Sequence, residues 1–222
     1  MMRPAEARRR PVCPTTVLGV RAVGPGVFVL GFAPVATSFR AGESLRVTLP
    51  GADVERDYSL YSGERDPRWE ILVREVDGGA LSPRLRACRP GDRLLVSVPG
   101  GDFVLDDAAG EHLFVATGTG IAPFHSMVRS RPDLRYRLLH GVRTAADRHD
   151  PAAFASGAYL PCVSREPGAG HHGRVTDRLP GLEIGEGTVC HLCGRNEMVY
   201  AVFHLLRARG VPEHRIRTEI YF

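Results

Sequence analysis

Along the first half of the chain, apolar residues come in short β-favouring runs separated by glycine or proline. Runs over 15–23 and 27–32 flank Gly24-Pro25-Gly26, a hairpin signal, and further runs over 44–49, 57–62, 69–76 and 93–98 stop at turn residues. One stretch, 81–88, is helical in character. Short strands spaced in this way predict an antiparallel β-barrel. The second half changes character. Residues 112–116 are almost continuously apolar, as a strand buried on both faces requires. A glycine-rich turn and a helix over 122–129 follow. Strands at 136–140 and 159–163 enclose a stretch expected to be helical, and 189–193 is the next strand. Then comes an amphipathic helix on which Met198, Val202, Leu205, Leu206 and Arg209 fall at helical spacing, and a last strand at 215–221. Alternating strands and helices predict a parallel sheet with helices on both faces. The expected organisation is two domains: an antiparallel β-barrel over 1–108, its first 14 residues a flexible arm, and an α/β parallel-sheet domain over 109–222. They join in the polar stretch 106–110.

Composition narrows the class. With 222 residues, 43% hydrophobic and 24% charged, the chain has the make-up of a globular protein rather than of a disordered or disulfide-stapled one. No window offers the roughly 18 to 20 uninterrupted apolar residues of a membrane helix. No apolar signal core follows Arg3, Arg8, Arg9 and Arg10, so neither export nor a membrane is expected. Five cysteines (Cys13, Cys88, Cys162, Cys190 and Cys193), an odd number, suit reduced thiols in the cytoplasm. All 29 basic residues are arginine, for a formal charge of +4. They are spread along the chain rather than gathered into the basic stripe of a nucleic-acid binder.

Four segments carry candidate chemistry. In Val115-Ala116-Thr117-Gly118-Thr119-Gly120-Ile121-Ala122-Pro123 a buried strand runs through glycines into a helix with proline in its first turn. Glycines admit close backbone approach, and a helix start offers free N–H groups to a pyrophosphate. In Arg56-Asp57-Tyr58-Ser59-Leu60-Tyr61-Ser62 an arginine for an anion, a flat ring and a small donor sit in four residues. Strand alternation puts Arg56 and Tyr58 on one face and Ser59 on the other, so all three serve one ligand only if the strand ends or twists there. Gly78-Gly79-Ala80-Leu81-Ser82-Pro83 reads as a helix start capped by Ser82. Cys190-His191-Leu192-Cys193-Gly194-Arg195 has zinc spacing without a second ligand pair. No metal is expected, and the sulfurs suit packing at a strand end, where open α/β sheets hold ligands. His171-His172, among glycines, reads as a solvated loop.

The order of these motifs resembles the ferredoxin–NADP reductase family, closest to its compact bacterial flavodoxin/ferredoxin reductases: RxYSLxS, GGxLSxxL, a strand into GTGIAP, CGxxxM and a terminal ExYF. The resemblance spans about 17–222. It implies a flavin-dependent oxidoreductase that passes hydride from NADPH to N5 of FAD and then electrons singly to a separate acidic carrier, ferredoxin or flavodoxin, acting as a cytoplasmic monomer. Arg56 would pair with the FAD pyrophosphate, Tyr58 stack on the isoalloxazine and Ser59 lie near N5. Val73, Arg74 and Glu75 would meet the flavin edge through their backbone, with Gly79, Leu81 and Ser82 closing over the phosphates. NADP(H) would lie along Thr117, Gly118, Thr119, Gly120 and Pro123, with its nicotinamide by Cys193, Gly194 and Met198. Arg143, Arg165 and Arg174 would take the 2′-phosphate. Ser59, Cys193, Glu219 and Tyr221 would be the catalytic set, with Tyr221 or Phe222 covering the flavin. The alternatives are an FMN- and NADH-dependent reductase component of an oxygenase, against which the GGxLSPRL helix start speaks, and a non-catalytic flavin-binding subunit.

Overall fold

Two six-stranded sheets make up the computed structural model, in which residues 10–106, 110–168 and 170–221 are described. The first is antiparallel: β1 (Val12–Gly24), β2 (Val27–Phe32), β3 (Ser44–Thr48), β4 (Arg56–Ser59), β5 (Trp69–Arg74), the five-residue helix α1 (Ser82–Arg86) and β6 (Arg93–Ser97). Its strand order is β4-β3-β6-β1-β2-β5, and a bridge from Leu60 to Ile71 draws its two edge strands together. The closed sheet encloses Phe28, Leu30, Leu45, Leu60, Ile71 and Leu94.

The second sheet is wholly parallel. It comprises β7 (His112–Thr117), α2 (Ala122–Ser130), β8 (Tyr136–Val142), β9 (Tyr159–Val163), β10 (His171–His172), α3 (Val175–Arg178), β11 (Val189–Arg195), α4 (Asn196–Ala208) and β12 (Ile216–Tyr221). Its order, β10-β9-β8-β7-β11-β12, reverses beside β7, so β7 and β11 open a crevice at their carboxyl ends. Successive residues of β7 feed opposite cores, Leu113 and Val115 towards α3 and α4, Phe114 and Ala116 towards α2 and the barrel. β2 does the same. Phe28, Leu30 and Phe32 fill the barrel, whereas Val27 and Val29 join Tyr61, Leu72, Phe114 and Phe124 in a core shared by the two sheets. The domains therefore bury a common apolar surface, the main source of cohesion between them.

Several local expectations need correction. The amino-terminal arm is structured from Arg10 onward, and β1 begins at Val12. The Arg10 guanidinium donates to the carbonyls of Ser44 and Gly100 and faces Asp57 at 3.6 Å, stitching the strand to β3 and β4. Arg10→Ala is expected to cost about 1–3 kcal/mol, since the carbonyls lose a charged donor. A melting curve unchanged from the wild type would refute this. Between β8 and β9 no α-helix forms; two single 3₁₀ turns (Ala145–Asp147 and Pro151–Ala153) occupy the stretch. Ser82 does not cap α1. Leu81 takes the cap position, and the Ser82 hydroxyl instead accepts the Val76 N–H at 3.0 Å, folding the glycine turn onto the helix. His171-His172 is an edge strand paired with Cys162 and Val163, not a loop. The expected domain junction after residue 108 and the aromatic Phe222 lie outside the described residues.

Candidate active site at the domain junction

β4 ends at Ser59. Arg56 is exposed and Tyr58 partly buried against the barrel core, while Ser59 is 2% exposed on the opposite side. Burial pushes the Tyr58 hydroxyl up to about 12, with the Arg56 charge opposing it. Facing Ser59 from the other domain, β11 and β12 run parallel in a register that sets Cys193 beside Glu219. The Ser59 hydroxyl donates to Glu219 Oε2 at 2.9 Å and lies in short contact with the Tyr221 hydroxyl. Tyr221 in turn donates to the same carboxylate oxygen at 3.2 Å, and the Cys193 thiol reaches it at 3.7 Å. All four residues proposed as the catalytic set thus meet around one carboxyl group.

Electrostatics defines what this cluster can do. Burial raises the Glu219 carboxyl, against the lowering effect of its hydrogen bonds to Ser59, Tyr221 and Cys193. Burial, reinforced by Glu219, raises the Cys193 thiol well above its usual range, so it stays protonated and is a poor nucleophile. Cys190 faces away into the core beneath α3 and α4, whereas Cys193 faces the shared core, so the two sulfurs lie on opposite sides of the sheet. The set is suited to holding and passing a proton along a hydroxyl–carboxyl chain.

Beside it, the GTGIAP segment forms a 3₁₀ turn (Gly118–Ile121) leading into α2, with Pro123 in the helix's first turn. Gly118 has φ +52°. A Cβ on Gly120 would run into the carbonyl of Cys193, so glycine there is what lets the turn lie against β11. Gly194, at φ +145°, is pressed against Thr117 and Met198 in the same way. On the outer strands, Arg143, Arg165 and Arg174 are exposed at successive strand ends, Arg165 N–H donating to the Arg143 carbonyl at 2.9 Å. Around the barrel's glycine turn, the Glu75 N–H binds the Gly26 carbonyl and the Gly79 N–H that of Val76, each at 2.8 Å. Val73 and Leu81 point into the barrel core, leaving only their backbone for a ligand.

The structure adds residues that the motifs did not single out. His140 is fully buried on β8; its Nε2 donates to the Gly118 carbonyl and its Nδ1 accepts from Tyr159, each at 2.9 Å. Burial holds it at about 3, neutral, so it braces the glycine turn without titrating. Nothing in the sequence distinguishes it from the other histidines; its place one strand over from the Gly118 turn appears only in the fold.

Comparison with known proteins fits this geometry. Residues 28–105 match the model of the oxidoreductase FAD-binding domain. Ferredoxin–NADP reductase B of Sorangium cellulosum is 32% identical over 233 residues, covering 92% of this chain and 96% of that protein. The reductase subunit of an aromatic O-demethylase from an Amycolatopsis species is also 32% identical, but the chain spans only 63% of its length. The crystal structure of an Amycolatopsis cytochrome P450 reductase superposes with a TM-score of 0.84 at 31% identity, over 97% of this chain and 72% of that one. The near end-to-end match, with the two-sheet fold and the motifs in order, places this chain in the ferredoxin–NADP reductase family of oxidoreductases.

Proposed function

We propose that the protein uses FAD to carry electrons from NADPH to a separate one-electron carrier protein. The observation that carries this reading is the convergence of Ser59, from the barrel, with Cys193, Glu219 and Tyr221, from the second domain, around one carboxyl group. The residues fit both cofactors. Arg56 and the partly buried Tyr58 ring offer a cation and a flat surface at one strand end. The glycine turn at Gly118 offers room that any Cβ would fill, and Arg143, Arg165 and Arg174 at adjacent strand ends suit the 2′-phosphate of NADPH. FAD, once bound, would supply the chemistry that couples a two-electron donor to one-electron acceptors.

The chain's own part is alignment and proton handling. The Arg56 side chain and the backbone around Gly79 and Ser82 hold the flavin phosphates. Tyr58 fixes the ring plane, and Cys193 with Gly194 shapes the nicotinamide side without ionising. Ser59 presents its hydroxyl where a proton is needed, and Glu219 supplies or withdraws that proton. Tyr221, hydrogen-bonded to both, fills the space between the domains and must shift when the nicotinamide ring enters, a small gating movement.

The chain's arginine-rich composition and pI near 9.0 favour an acidic carrier such as ferredoxin or flavodoxin. The equal identity to an O-demethylase reductase subunit favours an oxygenase-linked carrier as the second reading. One experiment tests both stages. Purified protein loaded with flavin should bleach near ~450 nm, where oxidised flavin absorbs, on anaerobic addition of NADPH. It should regain colour on adding an acidic carrier, more slowly as salt rises. Failure to take up flavin refutes the whole reading. FMN recovered in place of FAD, with NADH preferred, turns it to the oxygenase-reductase type.

A further inference from the structure

Ser59 belongs to the barrel, yet the backbone that leaves β4 behind it is held by the other domain. Residues 61–64 lie along one side of α2. His125 Nδ1 donates to the Tyr61 carbonyl at 2.7 Å, and the Ser126 hydroxyl donates to the Ser62 carbonyl at 2.6 Å. The Ser130 hydroxyl accepts the Glu64 N–H at 2.9 Å, and a Cβ on Gly63 would stand 3.1 Å from that of Arg129. The barrel takes the amides instead: the Leu60 N–H goes to the Glu43 carbonyl and the Tyr61 N–H to that of Glu70, at 3.0 and 2.7 Å. Tyr61 therefore has its backbone donor in one domain and its acceptor in the other. His125 and Ser126 are buried, so water cannot replace either of their bonds to the carbonyls. Both stand in the first turns of α2, directly after the Gly118–Ile121 turn whose Gly120 is pressed against Cys193.

We propose that His125 and Ser126 are positioning residues that aim the Ser59 hydroxyl. By holding the Tyr61 and Ser62 carbonyls they fix the direction in which the chain leaves Ser59, and so keep its hydroxyl on Glu219, 2.9 Å away. This rests on the function proposed above. The two side chains bond to carbonyls two and three residues beyond Ser59 and act through the backbone, where a displacement of about 1 Å is enough to cost a reaction up to ~10²-fold. Glu219 sits on β12 and the two donors on α2, so both partners that orient Ser59 come from the domain opposite its own. The aim of the barrel's hydroxyl is thereby tied to the same rigid helix that carries the glycine turn, about one helical pitch (~5.4 Å) away. The Tyr61 ring, stacked on His125 at 4° from parallel, contributes cohesion between the domains but no part of this aim.

Stopped-flow reduction of flavin-loaded protein by saturating NADPH tests this, with NADP+ affinity and melting measured on the same samples. Ser126→Ala and His125→Phe each remove one donor, the second keeping a ring against Tyr61. Each should slow flavin reduction about tenfold while flavin content and NADP+ affinity stay as in the wild type. His125→Asn, which keeps a donor near the place of Nδ1 and loses the ring, should melt earlier yet reduce flavin at close to the wild-type rate. In a Ser59→Ala background, Ser126→Ala and His125→Phe should slow reduction no further, because no hydroxyl is left to aim. The proposal is overturned if the single variants reduce flavin like the wild type, if the slowing recurs without Ser59, or if His125→Asn is as slow as His125→Phe. Loss of flavin, or of NADP+ affinity in step with the rate, would overturn it as well. Wild-type protein that takes up flavin but is not reduced by NADPH would overturn the proposed function along with it, whereas slowing that persists without Ser59 would leave that function standing.

Discussion

Replacing Ser59 with alanine is expected to slow reduction of the bound flavin by NADPH by about 10²-fold or more while the flavin stays in place, because a hydrogen-bond donor positioned beside the hydride acceptor contributes on that scale. Ser59 is the only one of the four clustered residues that comes from the barrel, so it is the group that brings the proton chain to the flavin side. Its loss leaves Glu219 and Tyr221 hydrogen-bonded to each other at 3.2 Å, intact but no longer connected. Stopped-flow traces at 450 nm read the effect directly, that wavelength being about where the flavin absorbs. Equal rates for Ser59→Ala and wild type would remove Ser59 from the chemistry. Glu219 adds a pH signature. Its carboxyl is raised by burial, so it keeps its proton to higher pH than an exposed glutamate, and the proton-requiring step should weaken as pH climbs through that raised value. Glu219→Gln should abolish this fall. The same shift affects stability: the folded state binds the proton more tightly, so the contribution is fully present below the unfolded value and is lost as pH rises through the folded one.

The second large effect concerns the fastening between domains. Tyr61 is wholly buried, its ring stacked on His125 of α2 at 3.6 Å between centroids, and its hydroxyl donates to Asp150 at 2.9 Å. Asp150 also receives both arms of Arg21 from β1, at 2.9 and 2.7 Å, and His125 donates to the Tyr61 carbonyl at 2.7 Å. Tyr61→Ala removes the ring that both sheets pack against, at an expected cost of about 3–5 kcal/mol. At roughly 2–4 °C per kcal/mol for a chain of this size, melting should fall by on the order of 10 °C. Tyr61→Phe, keeping the ring, should lose far less. A melting point for Tyr61→Ala within a degree or two of wild type would mean that the junction does not depend on this ring. Acid should loosen the same contact. Asp150 is held down chiefly by its hydrogen bond to Arg21, so its contribution disappears as pH falls through the folded value. His125 is pushed down to about 4 by burial, so the unfolded chain takes up its proton first as pH drops below ~6.5. Both groups act in the same direction.

How much of this was legible in sequence depended on how local the cause was. Strand β2 was legible to the residue, because a hairpin turn and an apolar run act over a few positions. The two glycine turns were legible as well, since close backbone approach and positive φ leave glycine little alternative. Ser82 was misread because a serine before proline satisfies every local rule for a cap, yet its hydroxyl found a backbone N–H six positions earlier. The unbroken apolar run Val27-Phe28-Val29-Leu30, unusual for an antiparallel strand, was the available sign that its outer face meets another domain.

The sequence alone determined where most strands and the helices α2 and α4 form, which half would close into a barrel and which residues could handle phosphate or a proton, because propensity, periodicity and turn chemistry are properties of neighbouring residues. Only the tertiary structure decided that Ser59 and Glu219, 160 positions apart, share a hydrogen bond, that Tyr61 fastens the domains and that Arg74 faces the other domain's turn. Those contacts depend on how two sheets pack through a shared apolar core, and no local pattern records which side chains meet there.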